Sequence, residues 1–102
     1  MIKIIRRSYL EDHWKRYPET EEVLKAWIYK IQDGSYESSK DFLNDFPKTA
    51  LIGQEALNFQ VTPSVFLLAS FHAVLKVLVI RGIGTLYSSS SSNLAFSHDF
   101  RR

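Results

Sequence analysis

The run Val74–Thr85, VLKVLVIRGIGT, closes on an arginine, two glycines and a threonine. A guanidinium stays charged at every physiological pH and offers donors in a rigid fork that grips a phosphate or carboxylate with two parallel bonds. A buried strand that ends in Arg81-Gly82-Ile83-Gly84 is where chemistry is expected, the alternative being an arginine that caps the strand in solvent beside glycines that relieve a turn. His72 lies upstream between two apolar segments, and an imidazole there works as general acid or base only where a substrate proton comes within hydrogen-bond reach. His13, among acids on a helix, reads as a surface residue, and His98 falls in the tail. The three histidines are not paired at metal-ligand spacing. With no cysteine in the chain, a thiolate metal site, a disulfide scaffold and a cysteine nucleophile are excluded. Gly82-Ile83-Gly84 lacks the lysine and following helix of a nucleotide-binding turn. Glu11-Asp12 and Glu21-Glu22 fall in first helical turns, where the helix dipole already accounts for them. Trp14 and Trp27 sit at helical spacing and read as core.

The elements that must position Arg81 follow from periodicity. Val74–Arg81 reads as a central strand with both faces covered, because its aliphatic run leaves no polar face. Met1–Arg7 suggests a short first strand. Ser8-Tyr9-Leu10-Glu11 has the form of a capping box, and Leu10, Trp14 and Tyr17 share one face of a helix that Pro18 ends. Thr20 can cap a second helix with the stripe Val23, Leu24, Trp27, Ile28 and Ile31, stopped by Gly34. Ser38 or Ser39 opens a shorter third turn through Phe42, Leu43 and Phe46, halted by Pro47. From Ala56 the period becomes two, with Leu57, Phe59 and Val61 on one face and Asn58 and Gln60 on the other. Thr62-Pro63-Ser64 is turn chemistry, Val65–Phe71 the next strand, and His72-Ala73 the connection to Val74. The expected architecture is α+β: an N-terminal strand and two or three helices packed on an antiparallel sheet, in one domain over residues 1–87. Ser88–Ser92 has no apolar content to bury, so residues 88–102 read as a flexible serine-rich tail.

The chain has 102 residues and a net charge of +2, with 45% hydrophobic and 14% aromatic residues, which fits one globular domain. Its charge is unevenly spread. Residues 1–55 carry nine Lys/Arg and ten Asp/Glu, whereas residues 56–102 carry Lys76, Arg81, Arg101 and Arg102 against Asp99 alone. An RNA partner thus meets few phosphate contacts on the sheet unless the basic N-terminal residues, Arg6 and Arg7 among them, fold beside it. The N-terminus lacks the apolar core of a signal peptide. Polar residues from Asn58 to His72 argue against a membrane span, so the expectation is a cytoplasmic protein.

Several features taken together resemble the HigB-type toxins, the RelE-like ribonucleases of bacterial toxin–antitoxin pairs. They are the short opening strand, Trp14…Tyr17-Pro18, Leu24-x-x-Trp27, Gly34-x-Tyr36, Asp41-Phe42-Leu43…Phe46-Pro47, Leu57-Asn58-Phe59-Gln60-Val61 and Ile80-Arg81…Gly84-Thr85. The resemblance implies a RelE-like fold and an mRNA endoribonuclease, often acting at the ribosome, that needs no metal or cofactor and is neutralised by a helix-turn-helix antitoxin. It also implies that basic residues on the sheet hold the phosphate and stabilise the charge that develops as the ribose 2′-hydroxyl attacks. Arg81 matches such a position, and Lys76, Arg6 and Arg7 are candidate RNA contacts. After Val61, however, the sequence runs Thr62-Pro63-Ser64-Val65-Phe66 without the family's arginine. After Thr85 it has Leu86 and Tyr87 where the family has a histidine. Tyr87, His72 or Lys76 would have to replace that imidazole. The losses imply a weakened or inactive enzyme, or a protein-interaction module that keeps the fold and antitoxin binding only. A shifted reading frame after Val61 would produce the same asymmetry.

Overall fold

The computed structural model describes residues 2–86 and 94–96. In chain order the elements are β1 (Lys3–Ile5), α1 (Ser8–Arg16), α2 (Glu21–Asp33), α3 (Phe42–Asp45), β2 (Ala50–Leu51), β3 (Ala56–Thr62), β4 (Val65–His72), β5 (Val77–Leu86) and β6 (Leu94–Phe96). The strands form one sheet in the order β1-β5-β4-β3-β2, with β6 also paired to β5. The fold is α+β, but the sheet is mixed: β1 runs parallel to β5, Lys3 against Val77 and Ile5 against Val79, while the other pairs are antiparallel. The parallel pairing needs a long crossover, and the whole helical segment lies in the connection between these two strands. β6 falls within the serine-rich tail; the remainder of that tail, residues 88–93 and 97–102, lies outside the described residues, as does residue 87.

All three helices contribute to one core with one face of the sheet. Leu10, Leu24, Trp27, Ile28, Ile31 and Phe42 pack with Ile2, Ile4, Leu57, Phe59, Val65, Leu67, Ala69, Phe71, Leu78, Ile80 and Ile83. Alternate residues along β3 and β4 therefore belong to opposite faces. Phe42 is the hub, edge-on to Phe59 and Phe71 and stacked on Tyr36 with ring centroids 4.0 Å apart. The Tyr36 hydroxyl donates to Asp45 Oδ2 at 2.7 Å, and burial together with that carboxylate pushes the phenol well above its ordinary pKa.

Local signals were partly overruled. Val74 and Leu75, expected in the central strand, are 95% and 71% exposed in the turn before it. The Lys76 N–H donates to the His72 carbonyl at 2.8 Å and Lys76 takes a left-handed φ of 56°, which closes the turn and delays β5 to Val77. Ser8 is the first residue of α1 and not its cap; Arg7 precedes the helix and its Nε lies 3.7 Å from Glu11. The Thr20 hydroxyl donates to the Tyr17 carbonyl at 2.7 Å, closing a 3-10 turn over Pro18–Thr20, so it does not cap α2. Ser38 does cap its turn, in a reciprocal box with Asp41. His13 is fully buried, its ring 4.9 Å from that of Tyr17, because it follows Leu10 by three residues and so lies on the same core-facing side of α1.

Candidate nucleic-acid interface

Strand β5 does not alternate evenly. Ala69 pairs with Ile80 and its neighbour Leu68 pairs with Gly82, so Arg81 is an extra residue, a β-bulge. A bulge re-aims a side chain and shifts the pleat by one position. Ile80 and Ile83 are both in the core as a result, and Arg81 between them is exposed on the face the helices leave open. Lys3, Ile5, Asn58, Gln60, Phe66, Leu68, Ser70, His72, Val77 and Val79 share that face by alternation. Helices thus cover the central strand on one side only, contrary to the expectation from its aliphatic run.

The electrostatics of this face are simple. No strand residue is acidic, and the ten acidic residues before Ala56 all lie in the helices and connections. Arg81 has no acidic partner among the described residues. One residue beyond the Ile5–Val79 pair brings the Arg6 backbone level with Ile80 at the start of the β1–α1 connection, but the side chains of Arg6 and Arg7 turn to α1, over Tyr9 and toward Glu11. Arg6 adopts φ 65° there and its guanidinium lies 5.9 Å from the centre of the Tyr9 ring.

His72 and Lys76 go elsewhere. His72 ends β4 opposite Val77, three residues from Ala69, which is about 10 Å along the strand from the bulge. Its Nδ1 stands 3.8 Å from the Glu55 carboxylate. The Lys76 amine donates to the Tyr36 carbonyl at 2.7 Å and pairs with Glu37 at 3.2 Å, so it fastens the turn to the helical layer. Tyr87 and His98 lie outside the described residues. Phe66, Leu68, Ser70, Val79 and Gly82 surround Arg81 on β4 and β5, and none of them titrates near neutral pH. The arrangement can hold a phosphate and stabilise added negative charge; it sets no described general base beside the guanidinium.

Sequence reasoning missed the bulge because Val77–Ile80 is apolar at every position and shows no alternation; only burial reveals core positions Leu78, Ile80 and Ile83 stepping by two and then by three. Among the described residues no group of three or more His, Asp or Glu could hold a metal ion, and no helix is long and apolar enough to cross a membrane. Compared with known proteins, the chain matches no family model and no curated relative.

Proposed function

We propose that this chain is the toxin component of a toxin–antitoxin pair, a RelE-like protein of the HigB type that engages mRNA on the open sheet face and cleaves it weakly. The observation that carries the reading is Arg81: a guanidinium projected by a bulge, without an acidic partner among the described residues, on a sheet whose strands carry no carboxylate. The α+β layout supports the same reading.

In such a reaction the ribose 2′-hydroxyl attacks the adjacent phosphorus, the P–O5′ bond breaks, and a 2′,3′-cyclic phosphate and a 5′-hydroxyl result. Arg81 binds the non-bridging oxygens and is worth most when they carry the extra charge of the transition state. One proton must leave the 2′-hydroxyl and one must reach O5′; general acid–base help of this kind contributes roughly 10²–10⁴-fold. With His72 about 10 Å away along the sheet, water carries those protons, and the rate falls accordingly. No cofactor or metal enters the scheme. The partner is a helix-turn-helix antitoxin, and the mRNA can be met on the ribosome.

A second reading, a protein-interaction module without catalysis, is favoured by the exposure of Val74 and Leu75 at the tip of the β4–β5 turn. One experiment separates them. Induced expression in a bacterial host, with 5′ ends of a reporter mRNA mapped, should slow growth and show cuts that Arg81→Ala removes. Unbroken mRNA and normal growth with folded protein at high level would leave only the interaction module.

A further inference from the structure

The row of residues beside Arg81 has a composition that phosphate binding does not require. Phe66 on β4 pairs with Gly84 on β5 and with Gln60 on β3; one step along, Leu68 pairs with Gly82 and with Asn58. Phe66 is half-buried on the open face, and its β5 neighbour on that row has no side chain. The ring is thus bordered by bare backbone on one side and by an amide on the other. Neither Asn58 nor Gln60 has a side-chain hydrogen bond among the described residues. Half-buried amides with no internal partner can bond to a ligand without breaking anything.

Phe66 lies two residues from Leu68, where the bulge sits, which is about 6.6 Å along the strand and about 4.8 Å across to β5. A phosphate on Arg81 and a base on Phe66 therefore fall within the span of a single nucleotide. Building on the RNA-binding reading of this face, we infer that Phe66 is a stacking platform for one unstacked base of single-stranded RNA, with Asn58 and Gln60 along its edge and Arg81 on the neighbouring phosphate. A duplex is a poor fit, because its bases are stacked on each other and its edges paired, whereas single-stranded RNA offers a free π-face and free hydrogen-bonding edges. Charge favours the same occupant: the strands carry no acid to repel the backbone.

The test measures binding of a short fluorescein-labelled single-stranded RNA, 2′-O-methylated so that it cannot be cut, by fluorescence anisotropy. Phe66→Leu keeps an apolar side chain of slightly smaller volume but lacks the π-face, and Phe66→Trp keeps the π-face; circular dichroism checks that both fold. Phe66→Leu should weaken binding by about ten-fold while Phe66→Trp retains it. The deficit of Phe66→Leu should vanish on a probe of the same length made of abasic nucleotides, which leaves the phosphates in place. Arg81→Ala should weaken both probes and lower the salt dependence by about one ion. If Arg81→Ala weakens binding and Phe66→Leu does not, the platform is overturned and the RNA reading survives. If the wild-type protein fails to bind either probe, both are overturned.

Discussion

Gly34 occupies a position that no side chain fits. Its backbone is ordinary, with φ −84°, so the requirement is space: a Cβ there would lie 2.6 Å from Cε2 and Cζ of Tyr36. That ring cannot give way, since it stacks on Phe42 and its hydroxyl is held by Asp45. Gly34→Ala should therefore destabilise the protein by about 1–3 kcal/mol, the range for forcing atoms into a packed core, read as a lower urea midpoint with an unchanged slope. The spacing Gly34-x-Tyr36 thus has a local cause in the end of α2 folding back on its own following residues. At Arg81 the opposite holds, for the residue is open to solvent and its removal should leave the midpoint close to wild type.

Among the elements, the β4–β5 turn is the least orthodox. It places Val74 and Leu75 in solvent and asks a lysine to adopt a left-handed backbone. Lys76 holds it through its amine, on Tyr36 and Glu37, and through its backbone, on His72 and on the Lys3 N–H at 3.0 Å, which starts the parallel β1–β5 pairing. Lys76→Ala and Lys76→Gly both delete the amine and differ in the left-handed penalty of a Cβ. The glycine variant should be the more stable of the two by about 1 kcal/mol, measured by chemical denaturation; equal stability would mean the turn relaxes out of this conformation.

For the whole molecule, the buried Tyr36 links stability to pH. Tyr36 titrates above its ordinary value because burial and the Asp45 carboxylate disfavour the phenolate. Between the unfolded value near 10 and the higher native one, the native state holds a proton that the unfolded state has lost. The contribution is therefore fully present below about pH 10 and decays above it, by about 1.4 kcal/mol per pH unit at its steepest. Unfolding followed from pH 8 to 11 should show this fall in the wild type. In Tyr36→Phe the alkaline fall should be shallower, on a neutral-pH baseline about 1 kcal/mol lower for the lost hydrogen bond. Acid sits in the helical layer and the sheet strands have none, so this global stability and the charge of the open face can be varied independently.

What the sequence by itself determined was local and periodic. The apolar stripe of α2 and its end at Gly34, the Ser38–Asp41 box, the turn at Thr62-Pro63-Ser64 and the two-residue period of β3 are each written within a few residues, because caps, turns and alternation act over that range. Arg81 was legible as a candidate site residue from its place at a strand end before glycines, and as a phosphate ligand only through the family resemblance. Tertiary structure alone decided the rest. The parallel place of β1 is set by what Ile2 and Ile4 can bury, not by their own spacing. Phe66 and Leu68 are as apolar as Val65 and Leu67, so alternation could not say which pair faces the helices; Phe42 and its neighbours chose. That Arg81 stands on the open face and apart from His72 and Lys76 depends on a bulge and on strand order, both long-range properties of pairing.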